Sequence, residues 1–410
     1  MPKTYNVLTD PKKYMESFLK IKTKRNRIEP LKLNSAQLRL YELIQKLQTE
    51  GKPIRIIILK SRQMGFSTLT EALIYYRTAT KKNVNSFIIT HKDEATNNLF
   101  QMSKLFQERN PIRPMLKNSN AKELIFENPT KNASAKERQP GLKSKIKCAT
   151  AGGKGVGRSD TLTNVHASEL AFWPGDVAAT YSGLMQAVPN TPESMVIIES
   201  TANGFNFFKE MWDDAAAGEN DFVPFFAAWF EMEEYRMPYH GEQLTEEEKE
   251  LKSLFGLDHE QIMWRRWCIR NNCRNDIEQF HQEYPATPEE AFIATGTCVF
   301  DSRAIVVRLQ MLNTSGRRGR FFFREKRETL EHIVLQDHVF EEREKGEIQI
   351  FKEPIAGRPY TIGGDTAGEG SDYFTAQVID NITGEQMARL RWQRCDEDEY
   401  AKQVYCLGMY

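Results

Sequence analysis

Apolar residues in this chain follow two rhythms. Short unbroken runs such as Ile56-Ile57-Ile58-Leu59, Phe87-Ile88-Ile89 and Val196-Ile197-Ile198 have the length of strands and no alternation. Such runs suit strands covered on both faces, as in a parallel sheet. Elsewhere the spacing is helical. Leu40, Leu43, Ile44 and Leu47 share one face of a helix over residues 33–44, which Asn34 or Ser35 caps. Further helices are predicted over about 67–80 and near 93–109, with strands at 85–90, 145–150, 161–169 and 195–199. Strand alternating with helix argues for a parallel α/β sheet. From Glu231 to Arg274 the pattern is helical and charged, and its five glutamates between Gly241 and Lys252 are expected on a solvated face. Two late strands are predicted at 360–365 and 374–380.

With 410 residues the chain has room for two or three domains. Its 56 basic and 56 acidic residues cancel, which excludes a global nucleic-acid signature. The charge is nonetheless uneven. From Lys131 to Arg158 eight basic residues stand against Glu137 alone, and from Arg303 another eight face only Glu325 and Glu328. Each stretch suits a phosphate backbone or an ordinary solvated surface equally well. No apolar run reaches the roughly 18 residues that span a bilayer. The first five residues carry no apolar secretion segment, so a cytoplasmic location is expected. The six cysteines are scattered; Cys268, Cys273 and His281 match no common zinc spacing, and free buried thiols are expected.

The most specific chemistry follows the first apolar strand. Lys60, Ser61, Arg62, Gln63, Met64, Gly65, Phe66, Ser67 and Thr68 read as a phosphate-binding turn that opens a helix. Gly65 lets the backbone approach a phosphate, and the helix start aims free N–H groups at it. Ser67 or Thr68 offers a hydroxyl to magnesium. The loop departs from the G-x-x-x-x-G-K-[ST] pattern, because Phe66 replaces the lysine. Another cation must then face the β/γ-phosphates, and Lys60 and Arg62 are the candidates. Glu169 ends a second strand where it can polarise an attacking water, with Ser168 in place of the usual magnesium-holding aspartate. A third strand leads into Ser200, Thr201 and Ala202, a hydroxyl-bearing tip suited to sensing a γ-phosphate. Gln37, just ahead of the loop, has an amide suited to an adenine edge. The basic loop ending at Arg158 holds four glycines between Ala151 and Arg158, which fits close approach to a ligand.

In this order, residues 60–68, 167–173, 199–204, 283–292 and the strand ending at Asp365 resemble the large terminase subunit of tailed bacteriophages, an ATP-driven DNA-packaging motor. The resemblance covers nearly the whole chain. It implies a P-loop ATPase with a mostly parallel sheet and an added catalytic-glutamate strand, followed by an RNase H-like α/β nuclease domain. The implied division is an N-terminal arm (1–29), an ATPase (30–300, with its core to about 225 and a lid beyond), a basic linker (301–352) and the start of the nuclease (353–410). Lys60 corresponds to a phosphate-binding lysine at the loop start, Gln37 to the adenine contact, Glu169 to the catalytic glutamate, and Ser200, Thr201 and Ala202 to the coupling motif. Arg158 corresponds to an arginine offered to a neighbouring subunit's ATP; contact with DNA phosphate is its competing role. Asp365 corresponds to the first nuclease metal ligand, for Mg2+ or Mn2+, with Asp372 as a further candidate. About thirty residues follow Asp380, so an incomplete nuclease is expected. The implied cofactors are ATP and Mg2+. The implied partners are double-stranded DNA, the procapsid portal protein, the small terminase subunit and a ring of like subunits, in the host cytoplasm. Two other classes stay open: a helicase-like or recombination ATPase, and a non-hydrolysing DNA- or portal-binding module.

Overall fold

A computed structural model describes residues 7–153, 160–293, 308, 312, 315–328, 333–344, 346–367, 373–393 and 395–410. It divides into two units, Met1–Val307 and Arg308–Tyr410. Among the described residues no helix is long and apolar enough to cross a membrane.

The first unit opens with α1 (Pro11–Phe18) and a small hairpin, β1 (Lys20–Lys22) and β2 (Ile28–Pro30). There follow α2 (Ser35–Thr49), β3 (Ile54–Lys60), α3 (Phe66–Thr80), β4 (Asn85–Thr90) and α4 (Asp93–Arg109). Next come β5 (Asn118–Ser119), β6 (Glu123–Glu127), α5 (Ala133–Arg138), β7 (Gly141–Thr150) and β8 (Asn164–Ser168). The core closes with α6 (Val177–Met185), β9 (Met195–Ser200), α7 (Phe207–Ala217) and β10 (Val223–Ala227). Among the described residues four helices follow: α8 (Glu246–Phe255), α9 (His259–Asn271), α10 (Ile277–Glu283) and α11 (Pro288–Ile293).

The large sheet runs β10-β3-β9-β8-β4-β7-β6-β5. Every pairing from β10 to β7 is parallel; only β6 and β5 at one edge are antiparallel. Alternation along β3 supplies two cores at once. Ile54, Ile56 and Ile58 belong to the core under α3, while Ile57 and Leu59 belong to the core on the opposite face. This order places β9 between β3, which leads into the loop at residues 61–65, and β8, which precedes Glu169, with Glu199 in register with both Ile58 and Ser168.

Residues 1–29 contain more than an arm. Tyr14, Met15 and Leu19 are buried, and the Tyr14 hydroxyl accepts from Asn110 Nδ2 (2.8 Å). Beyond β10, an aromatic cluster of Trp229, Tyr235, Trp264, Phe280 and Tyr284 binds the helices together, with Tyr235 stacked on Trp264 at 4.1 Å. Cys268 and Cys273 are buried free thiols of this core, and burial pushes the Cys268 thiol up to about 12. His281 instead meets Glu290 Oε1 at 3.0 Å. The glutamate-rich helix α8 is not wholly solvated as expected. Glu248 is buried, completes a capping box with Thr245 and pairs with Arg266.

The second unit holds β11 (Arg317–Arg327), β12 (Ile333–Glu342), β13 (Ile348–Ile350), β14 (Tyr360–Asp365), β15 (Phe374–Asp380), β16 (Gln386–Trp392) and α12 (Glu397–Met409). They form an antiparallel sheet in the order β12-β11-β13-β16-β15-β14. The stretch 301–352 was expected to be a linker. Its described strands belong to this sheet instead, because β13 pairs with β16 and draws the β11–β12 hairpin in with it. The basic stretches are also partly neutralised. Lys145 and Lys147 share Asp160, Lys117 and Lys136 share Glu127, Arg317 meets Glu342 and Glu353, and Arg320 meets Glu399.

Candidate active site

The loop between β3 and α3 is held by its carbonyls. Asn34 Nδ2 donates to Met64 O (3.2 Å), Gln37 Nε2 to Gly65 O (2.6 Å) and the Tyr235 hydroxyl to Arg62 O (2.6 Å). The first-turn N–H groups of α3 have no intrahelical acceptor by helix geometry, so they remain the natural donors to an anion. Gln63 and Gly65 both take left-handed backbone. At Gly65, with φ of 83°, the backbone favours glycine, and a Cβ would also stand 2.7 Å from Gln37 Nε2 and displace its hold on the loop.

Gln37 was expected to present its amide to an adenine. The structure engages that amide internally. Its oxygen accepts from Asn34 N (3.0 Å) in the cap of α2 while its nitrogen holds Gly65, and the side chain is buried. Phe66 is equally internal, edge-on to Phe225 at 5.6 Å. Of the two candidate cations, Arg62 lies on Glu283, with Nη2 2.7 Å from Oε1. Lys60, nearly buried at the end of β3, turns its Nζ to Glu169 Oε1 (3.1 Å) and Glu199 Oε2 (3.7 Å). Burial opposes its charge, but the two carboxylates outweigh burial and hold Lys60 above its usual range.

Glu169 follows β8 in left-handed backbone, its N–H donating to Glu199 O (2.7 Å). One carboxylate oxygen takes Lys60. The other accepts from the Ser200 hydroxyl and from Thr201 N, both at 3.3 Å. Ala202 is fully buried beside them, and its carbonyl accepts from Gln282 Nε2 (3.1 Å). The candidate phosphate loop, the candidate catalytic carboxylate and the candidate coupling segment therefore meet at Lys60 and Glu169.

Beneath them lies a buried charge column that motif reading did not assign. Glu199, fully buried, accepts on Oε1 from His166 Nε2 (3.0 Å), the Ser168 hydroxyl (3.2 Å) and the Ser67 hydroxyl. His166 donates from Nδ1 to Glu71 Oε1 on α3 (2.7 Å). Burial would lower His166, yet the two carboxylates raise it to about 9, so both ring nitrogens carry protons near neutral pH. Burial would raise Glu199, but Lys60, His166 and Ser67 hold it at about 2. Burial pushes Glu71 up, against the pull of His166 and Ser103. The signal for these groups is their phase. His166 and Ser168 share a strand face by the period of two, and Ser67 and Glu71 share a helix face by i, i+4 spacing.

Of the two candidate hydroxyls, Ser67 is the one brought to Glu199; Thr68 lies beside it, half-buried. Ser61 is buried and donates to Ala227 O (3.3 Å). Arg158 and Asp372 lie outside the described residues. Asp365 is exposed at the end of β14, and among the described residues no group of three or more His, Cys, Asp or Glu gathers as a metal site.

No family model matches the chain. Among solved structures, the large terminase of bacteriophage HK97 is 14% identical over 96% of this chain and 68% of that chain, with a TM-score of 0.48. The large terminase ATPase domain of Thermus phage P74-26 is 17% identical over 62% of this chain and 98% of that chain, at 0.39. The large terminase of another thermophilic bacteriophage is 11% identical over 92% and 74%, at 0.38. What the chain is similar to, across these structures, is the large terminase of bacteriophages.

Proposed function

We propose that the first unit is an ATPase that, in a ring of like subunits, drives double-stranded DNA into a viral procapsid. The observation that carries this reading is the junction of Lys60 with Glu169, and of Glu169 with Ser200 and Thr201. Lys60 supplies the cation absent at Phe66. An incoming triphosphate carries more charge than one carboxylate and competes for Lys60. Glu169, released, then accepts a proton from the attacking water and orients it. Loss of the γ-phosphate returns Lys60 to Glu169. Because Glu169 also binds the Ser200 hydroxyl and Thr201 N, each exchange is felt in residues 200–202 and, through Gln282, in α10. Ser67 would hold Mg2+ beside the phosphates, and the ion would supply neutralisation of their charge.

The second unit is proposed to be RNase H-like and to belong to a nuclease, with Asp365 as a metal-binding carboxylate. DNA, portal and small-subunit partners follow from the resemblance of residues 60–68, 167–173 and 199–204. The test is steady-state ATP hydrolysis with and without linear duplex DNA, alongside a strand-separation assay. DNA-stimulated turnover that leaves the duplex closed is expected. Strand separation would favour a helicase-like ATPase, and nucleotide binding without turnover a non-hydrolysing module.

A further inference from the structure

We infer that Glu199 is the carboxylate that holds the divalent cation of this site, in place of the aspartate missing at Ser168. The inference deepens the ATPase reading and rests on it. Three observations support it. Ser168 and Glu199 are register partners on adjacent parallel strands, so their side chains leave the same face of the sheet side by side. Because β9 lies between β8 and β3, a carboxylate on β9 stands one strand nearer the phosphate loop than one on β8 would. A glutamate there, reaching from the neighbouring strand, meets both hydroxyls that border the cation position, Ser67 and Ser168.

The second observation concerns what Glu199 lacks. Its Oε2 is fully buried and has no hydrogen-bond partner among the described residues; only Lys60 Nζ approaches, at 3.7 Å. A buried carboxylate oxygen without a donor is costly, and a bound ion or water is among the partners that relieve it. The third observation is convergence: Glu169 and Glu199 both turn a carboxylate oxygen to one ammonium, the Nζ of Lys60, at 3.1 and 3.7 Å. A phosphate that draws Lys60 away strips Glu199 of the cation on its Oε2 side, and a divalent cation at Ser67 restores the balance. His166 and Glu71 act as positioning residues. They fix Glu199 from below, leaving its other oxygen directed at the site.

The test is the affinity of a fluorescent, non-hydrolysable ATP analogue for the full chain, with and without Mg2+. Parent protein is expected to bind at least about tenfold more tightly with Mg2+. Glu199→Gln, nearly isosteric, is expected to gain less than about threefold from Mg2+, measured as the ratio of its own affinities with and without the metal. Exchanging the two positions, Ser168→Asp with Glu199→Ser, is expected to restore the gain. Glu199→Asp keeps the charge and the fold and shortens the reach, so it should lose at least about threefold of the Mg2+ effect even if the glutamine variant fails to fold. A full Mg2+ gain in Glu199→Gln or Glu199→Asp overturns the assignment and leaves the ATPase reading standing. Failure of the parent to bind the analogue in either condition overturns both.

Discussion

The guanidinium of Arg62 lies on the carboxylate of Glu283, 221 residues further along the chain, and Arg62 N also donates to Glu283 O at 3.0 Å. The preceding residue, Gln282, holds the Ala202 carbonyl. One turn of α10 therefore braces both the loop between β3 and α3 and the segment after β9. If Arg62 serves as a brace, Arg62→Ala and Glu283→Ala should each raise KM for ATP about three- to tenfold, and the double variant should be no worse than either single one. A double-mutant cycle on KM measures this. A much larger loss in Arg62→Ala than in Glu283→Ala would place the guanidinium on phosphate.

Gly65→Ala should be severe. It places a Cβ against Gln37 Nε2 and forces alanine into left-handed backbone, a cost of about 2 kcal/mol or more. Adding Gln37→Ala removes the clash but not the backbone cost, so it should recover only part of the lost melting temperature. Full recovery would show that the glycine is needed for space alone.

Much of this architecture is legible in the sequence, and the reason is physical. The central strands are unbroken apolar runs because both faces are covered, and β4, α4, β14 and β15 fall where spacing predicts them. The hairpin of β11 and β12 was missed because most of its side chains are at least partly exposed. In β11 burial is confined to Gly319 and Phe321, too short an alternation to stand out among its arginines. The site divides in the same way. Lys60 and Glu169 declare themselves as charges at strand ends beside a glycine turn. The column of Glu71, His166 and Glu199 does not, because it joins residues 95 and 33 positions apart that only the sheet order brings together.

Glu248 offers a test of the helical part. It closes the cap of α8 and meets Arg266, with its side chain 6% exposed. Glu248→Ala removes the capping contact and the ion pair but leaves Arg266 Nη2 on the Gln243 carbonyl (2.7 Å), so a loss of about 1–3 kcal/mol in denaturant unfolding is expected. A change below about 0.5 kcal/mol would show that solvent already satisfies Arg266.

Glu290 supplies a pH dependence. Burial raises its carboxyl to about 7, against the Ala286 and Thr287 N–H groups and Arg265, with Glu278 adding to the rise and His281 3.0 Å away. A folded-state value above the unfolded one near 4.5 means the contribution is fully present below about 4.5 and is lost as pH rises through about 7. Glu290→Gln should therefore match the parent in melting temperature at pH 4.5 and exceed it at pH 8. Parallel melting curves across that range would contradict the assignment.

Lys60 as the cation of the phosphate loop is the claim on which the rest depends. Steady-state ATP hydrolysis by the full chain, beside Lys60→Ala and Arg62→Ala, tests it most directly. The account predicts a loss in kcat of about a hundredfold or more for Lys60→Ala, the range for removing a preorganised charge-stabilising group, and less than about tenfold for Arg62→Ala. Turnover that survives Lys60→Ala but collapses in Arg62→Ala would contradict it.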